Sequence, residues 1–254
     1  MDGRDPAGGA PRPPDGAPLA PVAQRRWPLG HFFITAFGSF EAALLISVAV
    51  SSALGIAQRA PESRTPLEIL LVTAASDAAL LLALALLGRR LLRLTAADLG
   101  FRRPRLPDLR RAAAFGLGLW VASILVNLVS IRLFGPRPQS LVVSFGAHQG
   151  PDAFVLDLLT GTVIAPVAEE TLFRGLIFAG LAQRMPFAAA AAISALLFAL
   201  THGIGVLLPI FALGFGLAWI YRRSGTLWAP IVAHAVVNAV SLVLLFTLSD
   251  LARG

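Results

Sequence analysis

Long apolar runs separated by short polar segments fill the chain after residue 28. An α-helix needs roughly 20 mostly apolar residues to cross the hydrocarbon core of a bilayer, and most of these runs reach or approach that length. The chain has seven such runs, and we predict helices at residues 32–56, 67–87, 112–133, 154–182, 187–201, 206–221 and 228–248. The pattern therefore predicts an all-α fold, a polytopic helical membrane protein with about seven transmembrane helices.

The composition supports this class and excludes several functions. Hydrophobic residues make up 56% of the 254 residues and charged residues only 14%, whereas a soluble domain has about 25% charged residues. A soluble all-α protein is the alternative that this composition disfavours. The chain has no cysteine, which excludes disulfides, thiolate metal sites, a cysteine nucleophile and a palmitoyl or prenyl anchor on this chain.

We divide the chain into three regions. Residues 1–28 are rich in proline and glycine and lack apolar periodicity, so we expect a disordered cytoplasmic tail. Residues 29–149 contain the first three helices, an arginine-rich loop at 89–111 and a Gly/Pro/Ser loop at 134–152. Residues 150–249 contain four helices that are short or interrupted by polar residues, and such helices need protein neighbours rather than lipid. We therefore expect an inner bundle here that contains the functional site.

The arginines predict the orientation of the protein. All 21 basic residues are arginine, and eight of them lie in the loop at 89–111. Arginines accumulate on the cytoplasmic side of membrane proteins, which places the N-terminus in the cytoplasm, in the inner (plasma) membrane of a bacterium. We expect the loop to contact anionic lipid headgroups of the bilayer. The net charge of +7 therefore does not indicate a nucleic-acid partner.

Polar residues inside the last four helices are the candidates for chemistry, because ionisable groups within a membrane are costly and mark functional sites. Glu170 and Arg174 are four residues apart and share a helix face, so we expect them to pair and to support the site. That leaves Glu169 free to face other helices. Two further pairs show the same spacing: Phe198 with His202, and His234 with Asn238.

If these residues converge, they can hydrolyse a peptide bond without a covalent nucleophile. Glu169 would act as general base on a water that His202 helps to hold. His234 and Asn238 would donate hydrogen bonds to the oxyanion of the intermediate. This mechanism requires no cofactor, but Glu169, His202 and His234 could instead bind a divalent metal such as zinc. Three other polar residues stand isolated in apolar helices, and we expect them to be packing residues or to line the lumen of the bundle: Glu41, Asp77 and Asn127.

The three motifs Glu169-Glu170-x-x-x-Arg174, Phe198-x-x-x-His202 and His234-x-x-x-Asn238 resemble the signature of the CAAX prenyl protease and bacteriocin-processing family. The linker at 99–104 is similar to one found in bacterial members of that family. The resemblance implies an intramembrane endopeptidase, commonly classed as a metalloendopeptidase, whose base is Glu169. It implies a membrane protein or peptide as substrate, although bacterial members mostly lack prenylated CAAX substrates.

Two other functions remain open at the level of sequence. One is a proteolytically inactive scaffold or bacteriocin-immunity-type protein of the same fold. The other is a proton-coupled transporter, which the absence of a visible internal repeat disfavours. Straight helices would also leave Glu169, His202 and His234 at different depths in the membrane. We therefore expect helix ends to shift or helices to deform so that these side chains can meet.

Overall fold

A computed structural model describes residues 26–137, 139–148 and 150–251 of the chain. Most of the predicted tail, residues 1–25, lies outside the described residues. The described parts are helical, with turns and no strand. The helices are α1 Leu29–Ala53, α2 Pro66–Leu92, α3 Leu106–Phe134, α4 Ser140–Ala147, α5 Pro151–Ala182, α6 Phe187–Thr201, α7 Leu207–Ser224 and α8 Trp228–Leu251.

The predicted fold class is confirmed. Among the described residues, six helices are long and apolar enough to cross a membrane, namely α1, α2, α3, α5, α8 and α7 with the short turn before it. The remaining one of the seven predicted spans is the fifth, α6, which is apolar but has only 15 residues. Large apolar side chains are exposed along most of the long helices. Such a surface suits lipid rather than water, so the chain is a multi-pass membrane protein.

Helix α5 lies at the centre of the bundle and packs against α1, α2, α6, α7 and α8. It contains two π-helical stretches, Thr160–Ile164 and Thr171–Phe178, and Pro166 lies two residues after the end of the first. A proline lacks the amide hydrogen of a regular helix, and a local widening accommodates it. All eight residues of Thr171–Phe178 are buried. π-Helical turns occur often at functional sites, and these two flank Glu169 and Glu170.

Small residues bring α6 close to its neighbours. A side chain at Gly214 of α7 would meet the backbone of Ala195 at 3.1 Å and Phe198 at 3.2 Å. Ser194 of α6 donates a hydrogen bond to the carbonyl of Phe173 in α5 at 2.9 Å. Close backbone approach and interhelical hydrogen bonds are the main contacts that hold helices together in lipid. They explain how the short helix α6 is fixed inside the bundle.

Several predicted boundaries were wrong. The predicted loop at 134–152 contains helix α4, which is anchored because the Ser144 hydroxyl donates to the carbonyl of Pro61 at 2.7 Å. Helix α2 does not end at Gly88 but continues through a π-helical turn to Leu92. Helix α3 begins at Leu106 and not at residue 112, because Pro107 lies in its first turn, where a proline needs no amide hydrogen.

The linker between α2 and α3 is also more ordered than the predicted solvated loop. Leu99 is buried, and the Tyr221 hydroxyl donates to its carbonyl at 3.3 Å. The backbone N–H of Leu227 donates to the carbonyl of Gly100 at 2.8 Å, and Gly100 adopts a φ of +91° that favours glycine. The linker therefore docks onto the turn between α7 and α8. All eight arginines between residues 89 and 111 nevertheless remain exposed.

Candidate active site

The predicted pair of Glu170 and Arg174 lies at the core of the site, and both side chains are fully buried. Arg174 Nη1 donates to Glu170 Oε1 at 2.8 Å, as their spacing on one helix face predicts. Arg174 Nη2 donates to the carbonyl of Gly214 in α7 at 3.1 Å. The pair therefore joins α5 to α7, and each of its two buried charges faces the opposite charge of the other.

Glu170 has a second partner that the sequence did not predict. His234 of α8 donates from Nδ1 to Glu170 Oε1 at 2.9 Å. A neutral imidazole carries one N–H, and a carboxylate that also accepts from Arg174 fixes that hydrogen on Nδ1. The carboxylate of Glu170 thus determines which nitrogen of His234 faces the rest of the site. Its Oε2 atom is buried and has no hydrogen-bond partner.

Glu169 and His234 approach each other, as the sequence analysis expected of the catalytic residues. His234 Nε2 lies 3.8 Å from Glu169 Oε2. This separation is too long for a direct hydrogen bond, and a polar contact of that length leaves room for a bridging water. The side chain of Glu169 is 26% exposed, whereas that of Glu170 is fully buried. A substrate can therefore reach Glu169 but not its neighbour.

Phe198 is the common contact of the three motifs. Its ring lies 4.5 Å from the Arg174 guanidinium, 4.5 Å from the His202 ring and 5.8 Å from the His234 ring. It also packs on Phe173 at 5.1 Å. A buried aromatic face attracts a cation and orients imidazoles at its edge. Phe198 therefore holds residues of α5, α6 and α8 in one cluster.

His202 lies beside this cluster at the C-terminal end of α6 and is partly exposed. Its Nδ1 atom lies 2.9 Å from the carbonyl of Phe198 and 3.1 Å from the Thr201 hydroxyl. The contact with the carbonyl places a hydrogen on Nδ1 and leaves Nε2 available. In the described part of the chain, no hydrogen bond or ion pair joins His202 to Glu169.

Asn238 lies one turn beyond His234 on α8. Its side-chain amide donates to the carbonyl of Gly161 at 2.7 Å, within the first π-helical stretch of α5. An asparagine amide has two N–H groups, so this bond leaves one donor free. The structure therefore brings Glu169, Glu170, Arg174, Phe198 and His234 together, with His202 and Asn238 at the edges of the group.

Comparisons with known proteins agree with this arrangement. A family model described as type II CAAX prenyl endopeptidase Rce1-like matches residues 151–240, which include all seven of these residues. An "Uncharacterized 24.3 kDa protein" of Escherichia coli is 30% identical over 152 residues, which are 56% of this chain and 69% of that protein. The chain belongs to the CAAX prenyl protease and bacteriocin-processing family. No solved structure gave a significant match.

Two further relatives of this family member match over shorter stretches. The "Putative membrane peptidase YdiL" of Bacillus subtilis is 32% identical over 93 residues, 36% of this chain and 38% of that protein. The "UPF0177 protein YxdF" of Lactococcus lactis is 36% identical over 78 residues, 30% of this chain and 42% of that protein. The matched stretches thus span less than half of these two relatives.

Asp77, which the sequence predicted to be a packing or lumen residue, carries a further carboxyl near this family site. It lies near the middle of α2, which packs against Ala165–Glu170 of α5. Its carboxyl is close enough to Glu169 for the two to interact electrostatically. The signal in the sequence was the one acidic residue deep within the second apolar run, but periodicity gave no reason to place it near α5.

Within residues 26–137, 139–148 and 150–251, no group of three or more histidine, aspartate and glutamate side chains is arranged to hold a metal ion. Zinc bound by Glu169, His202 and His234 in this family member stays a prediction, which metal analysis of the purified protein tests. The chemistry proposed for the site uses only the side chains of these three residues.

Proposed function

We propose that the protein is an intramembrane endopeptidase that hydrolyses a peptide bond of a membrane-associated protein or peptide. The observation that carries the proposal is the 3.8 Å approach of a partly exposed glutamate, Glu169, to His234 inside an apolar bundle. Membership of the family supports it, as does the name of the Bacillus relative, a membrane peptidase. The function rests on the site and not on the fold, because one fold can host several functions.

The chemistry begins with a water beside Glu169. Glu169 takes a proton from the water while the oxygen attacks the carbonyl carbon of the scissile bond. His202 helps to hold the water through Nε2, because its Nδ1 atom donates to the carbonyl of Phe198. The protonated Glu169 then returns this proton to the amide nitrogen as the C–N bond of the intermediate breaks. The products are a carboxylic acid and an amine, and the carboxylate of Glu169 is restored.

The developing oxyanion needs hydrogen-bond donors. Asn238 retains one free N–H after its bond to Gly161. In its neutral form His234 presents the lone pair of Nε2, and it becomes a donor there only when Nε2 is also protonated. The carboxylate of Glu170 on the other side of the ring stabilises that cationic form. His234 and Asn238 together would then stabilise the intermediate, a contribution often worth about 10²–10³ in rate per donor.

We also propose that the bilayer contributes to the reaction. The eight exposed arginines between residues 89 and 111 would contact anionic lipid headgroups, each worth about 1 kcal/mol near the membrane surface. Four of them lie at the end of α2 and in the first turns of α3. The other four lie in the linker, which is docked on the turn between α7 and α8: Arg93, Arg102, Arg103 and Arg105. We therefore expect anionic lipid to stabilise the folded bundle. The location that we propose is a bacterial inner membrane, with the N-terminus in the cytoplasm.

The test is cleavage of internally quenched peptides with an apolar C-terminal half by the protein in liposomes. Glu169→Gln keeps the shape of the side chain but removes the base, and we expect the rate to fall by a factor of about 10² or more. Glu41→Gln is the matched control, because Glu41 is an exposed acid on a neighbouring helix. Cleavage by Glu169→Gln at the rate of the unmodified protein would refute the mechanism and favour a scaffold function.

A further inference from the structure

Two carboxyl oxygens near the site have no hydrogen-bond partner, Glu170 Oε2 and Asp77 Oδ2. Glu170 is fully buried and its other oxygen is paired, whereas Asp77 is partly exposed. Among the described residues Asp77 forms no salt bridge, in contrast to Glu170, Asp157 and Glu68, which all have a cationic or histidine partner. A structural role for a membrane-buried acid would require such a partner. Asp77 therefore lacks the contact that would make it a packing residue.

The position of Asp77 excludes a second simple explanation. A polar side chain near the end of a membrane helix can extend to the headgroups, but Asp77 lies near the middle of α2 and its side chain is short. Glu41 of α1 differs, because it is exposed on the surface of the bundle. Helix α2, which carries Asp77, instead packs against the segment Ala165–Glu170, and the carboxyl of Asp77 interacts electrostatically with the proposed base Glu169.

A peptide that enters this site must leave water. Each backbone N–H that loses its hydrogen bond to water in an apolar bundle costs several kcal/mol unless an acceptor replaces it. Several acceptors near Glu169 are already occupied: Glu170 Oε1 accepts from Arg174 and His234, and the carbonyl of Gly161 accepts from Asn238. Glu170 Oε2 has no donor, but its side chain is fully buried and a peptide cannot reach it. Asp77 Oδ2 also has no donor, the residue is partly exposed, and a carboxyl group can accept in either protonation state.

On the basis of the proposed hydrolysis, we propose that Asp77 is a substrate-binding residue. Its carboxyl accepts a hydrogen bond from a backbone N–H of the bound peptide, beside the scissile bond. The ligand class is an extended peptide with a free amide hydrogen at that position. Asp77 then fixes the register of the peptide against Glu169 and discriminates against peptides that lack this hydrogen. It takes no part in bond making.

The experiment combines changes in the protein with changes in the substrate. A set of internally quenched peptides is methylated at one backbone nitrogen at a time, which removes one donor per peptide. With the unmodified protein, we expect one position near the cleaved bond where methylation lowers kcat/KM by about 10-fold or more. With Asp77→Leu that position should lose most of its sensitivity, whereas Asp77→Asn, which keeps an acceptor oxygen, should retain it.

Binding provides a readout that does not depend on cleavage. In the Glu169→Gln background, the Kd of each peptide is measured with Asp77 and with Asp77→Leu, and the same methylation should weaken binding only when Asp77 is present. Asp77→Leu replaces a buried carboxyl by an apolar side chain in a lipid-embedded helix, so we expect it to fold; Asp77→Ala serves as a second variant. Glu41→Leu is the control that should change neither readout.

The outcomes separate this inference from the proposed function. The role of Asp77 is overturned if methylation at each position lowers kcat/KM equally in the unmodified protein and in Asp77→Leu. It is also overturned if the Kd values of all peptides are equal. In both cases the proposed function stands as long as Glu169→Gln still abolishes cleavage. Full cleavage by Glu169→Gln would overturn the proposed function, and with it the inference about Asp77.

Discussion

The buried ion pair provides the sharpest test of how the fold is held together. Replacing Arg174 by methionine removes the bonds to Glu170 at 2.8 Å and to the Gly214 carbonyl at 3.1 Å, together with the contact on Phe198. It leaves a fully buried carboxylate whose remaining hydrogen-bond partner is His234. Breaking a buried pair by removing one partner costs about 3–5 kcal/mol, which is a large fraction of a typical stability of about 5–15 kcal/mol.

This loss should be measurable as a shift in thermal unfolding in detergent. For a chain of this size, about 3–5 kcal/mol corresponds to a fall in Tm on the order of 10 °C. Tryptophan fluorescence can report the transition, since the chain contains four tryptophans. Arg223→Met is the matched control, because Arg223 is exposed at the end of α7. We expect its Tm to stay within about 2 °C of that of the unmodified protein.

A double variant separates the charge effect from the loss of packing. Glu170→Gln with Arg174→Met leaves no charge in the pocket, and the glutamine oxygen can still accept from His234. Neutralising both partners of a buried pair is often close to neutral in stability. We therefore expect the double variant to recover more than half of the lost Tm. A single Arg174→Met variant that unfolds at the same temperature as the unmodified protein would refute the reasoning.

Two further predictions concern stability outside the site. His148→Ala removes a buried imidazole that contacts a buried carboxylate at 2.7 Å, so we expect a loss of about 1–3 kcal/mol in the free energy of unfolding, with exposed His31→Ala as the control. Gly100→Ala would place a methyl group 2.6 Å from the Tyr221 hydroxyl at a φ of +91°, so we expect a loss of about 1–3 kcal/mol. Gly118→Ala is the control for Gly100→Ala, because Gly118 lies in a helix and a side chain there would meet no atom within 4 Å. For each prediction, a variant as stable as its control would contradict the contact on which the prediction rests.

Much of the fold was predictable from the apolar runs, because a membrane-spanning helix has a length fixed by the bilayer. The fifth predicted span, residues 187–201, agrees with α6 at both ends. The errors arose where tertiary contacts determine the local structure. Helix α4 is held by a bond from Ser144 to Pro61, far away in the chain, and no local pattern encodes that contact. The division into regions at residues 28 and 149 stays a prediction.

The site was predictable where one helix supplies both partners. The i, i+4 rule gave the pair of Glu170 and Arg174. It could not give the bond from His234 to Glu170, because that contact depends on how α8 packs on α5. Nor could it show that Asp77 of α2 approaches Glu169. Contacts between helices follow from packing and from π-helical turns in α5, neither of which the hydrophobic pattern specifies.

The two adjacent glutamates can have different roles because consecutive residues of a helix point in directions about 100° apart. Glu170 is fully buried, and its Oε1 atom accepts from Arg174 and His234, so that the pair of Glu170 and Arg174 links three helices without a substrate. Glu169 is partly exposed, and its carboxylate lies 3.8 Å from the far nitrogen of the same histidine. His234 thus connects the structural carboxylate to the proposed catalytic one. Arg174→Met should therefore lower Tm, whereas Glu169→Gln should abolish cleavage with little change in Tm.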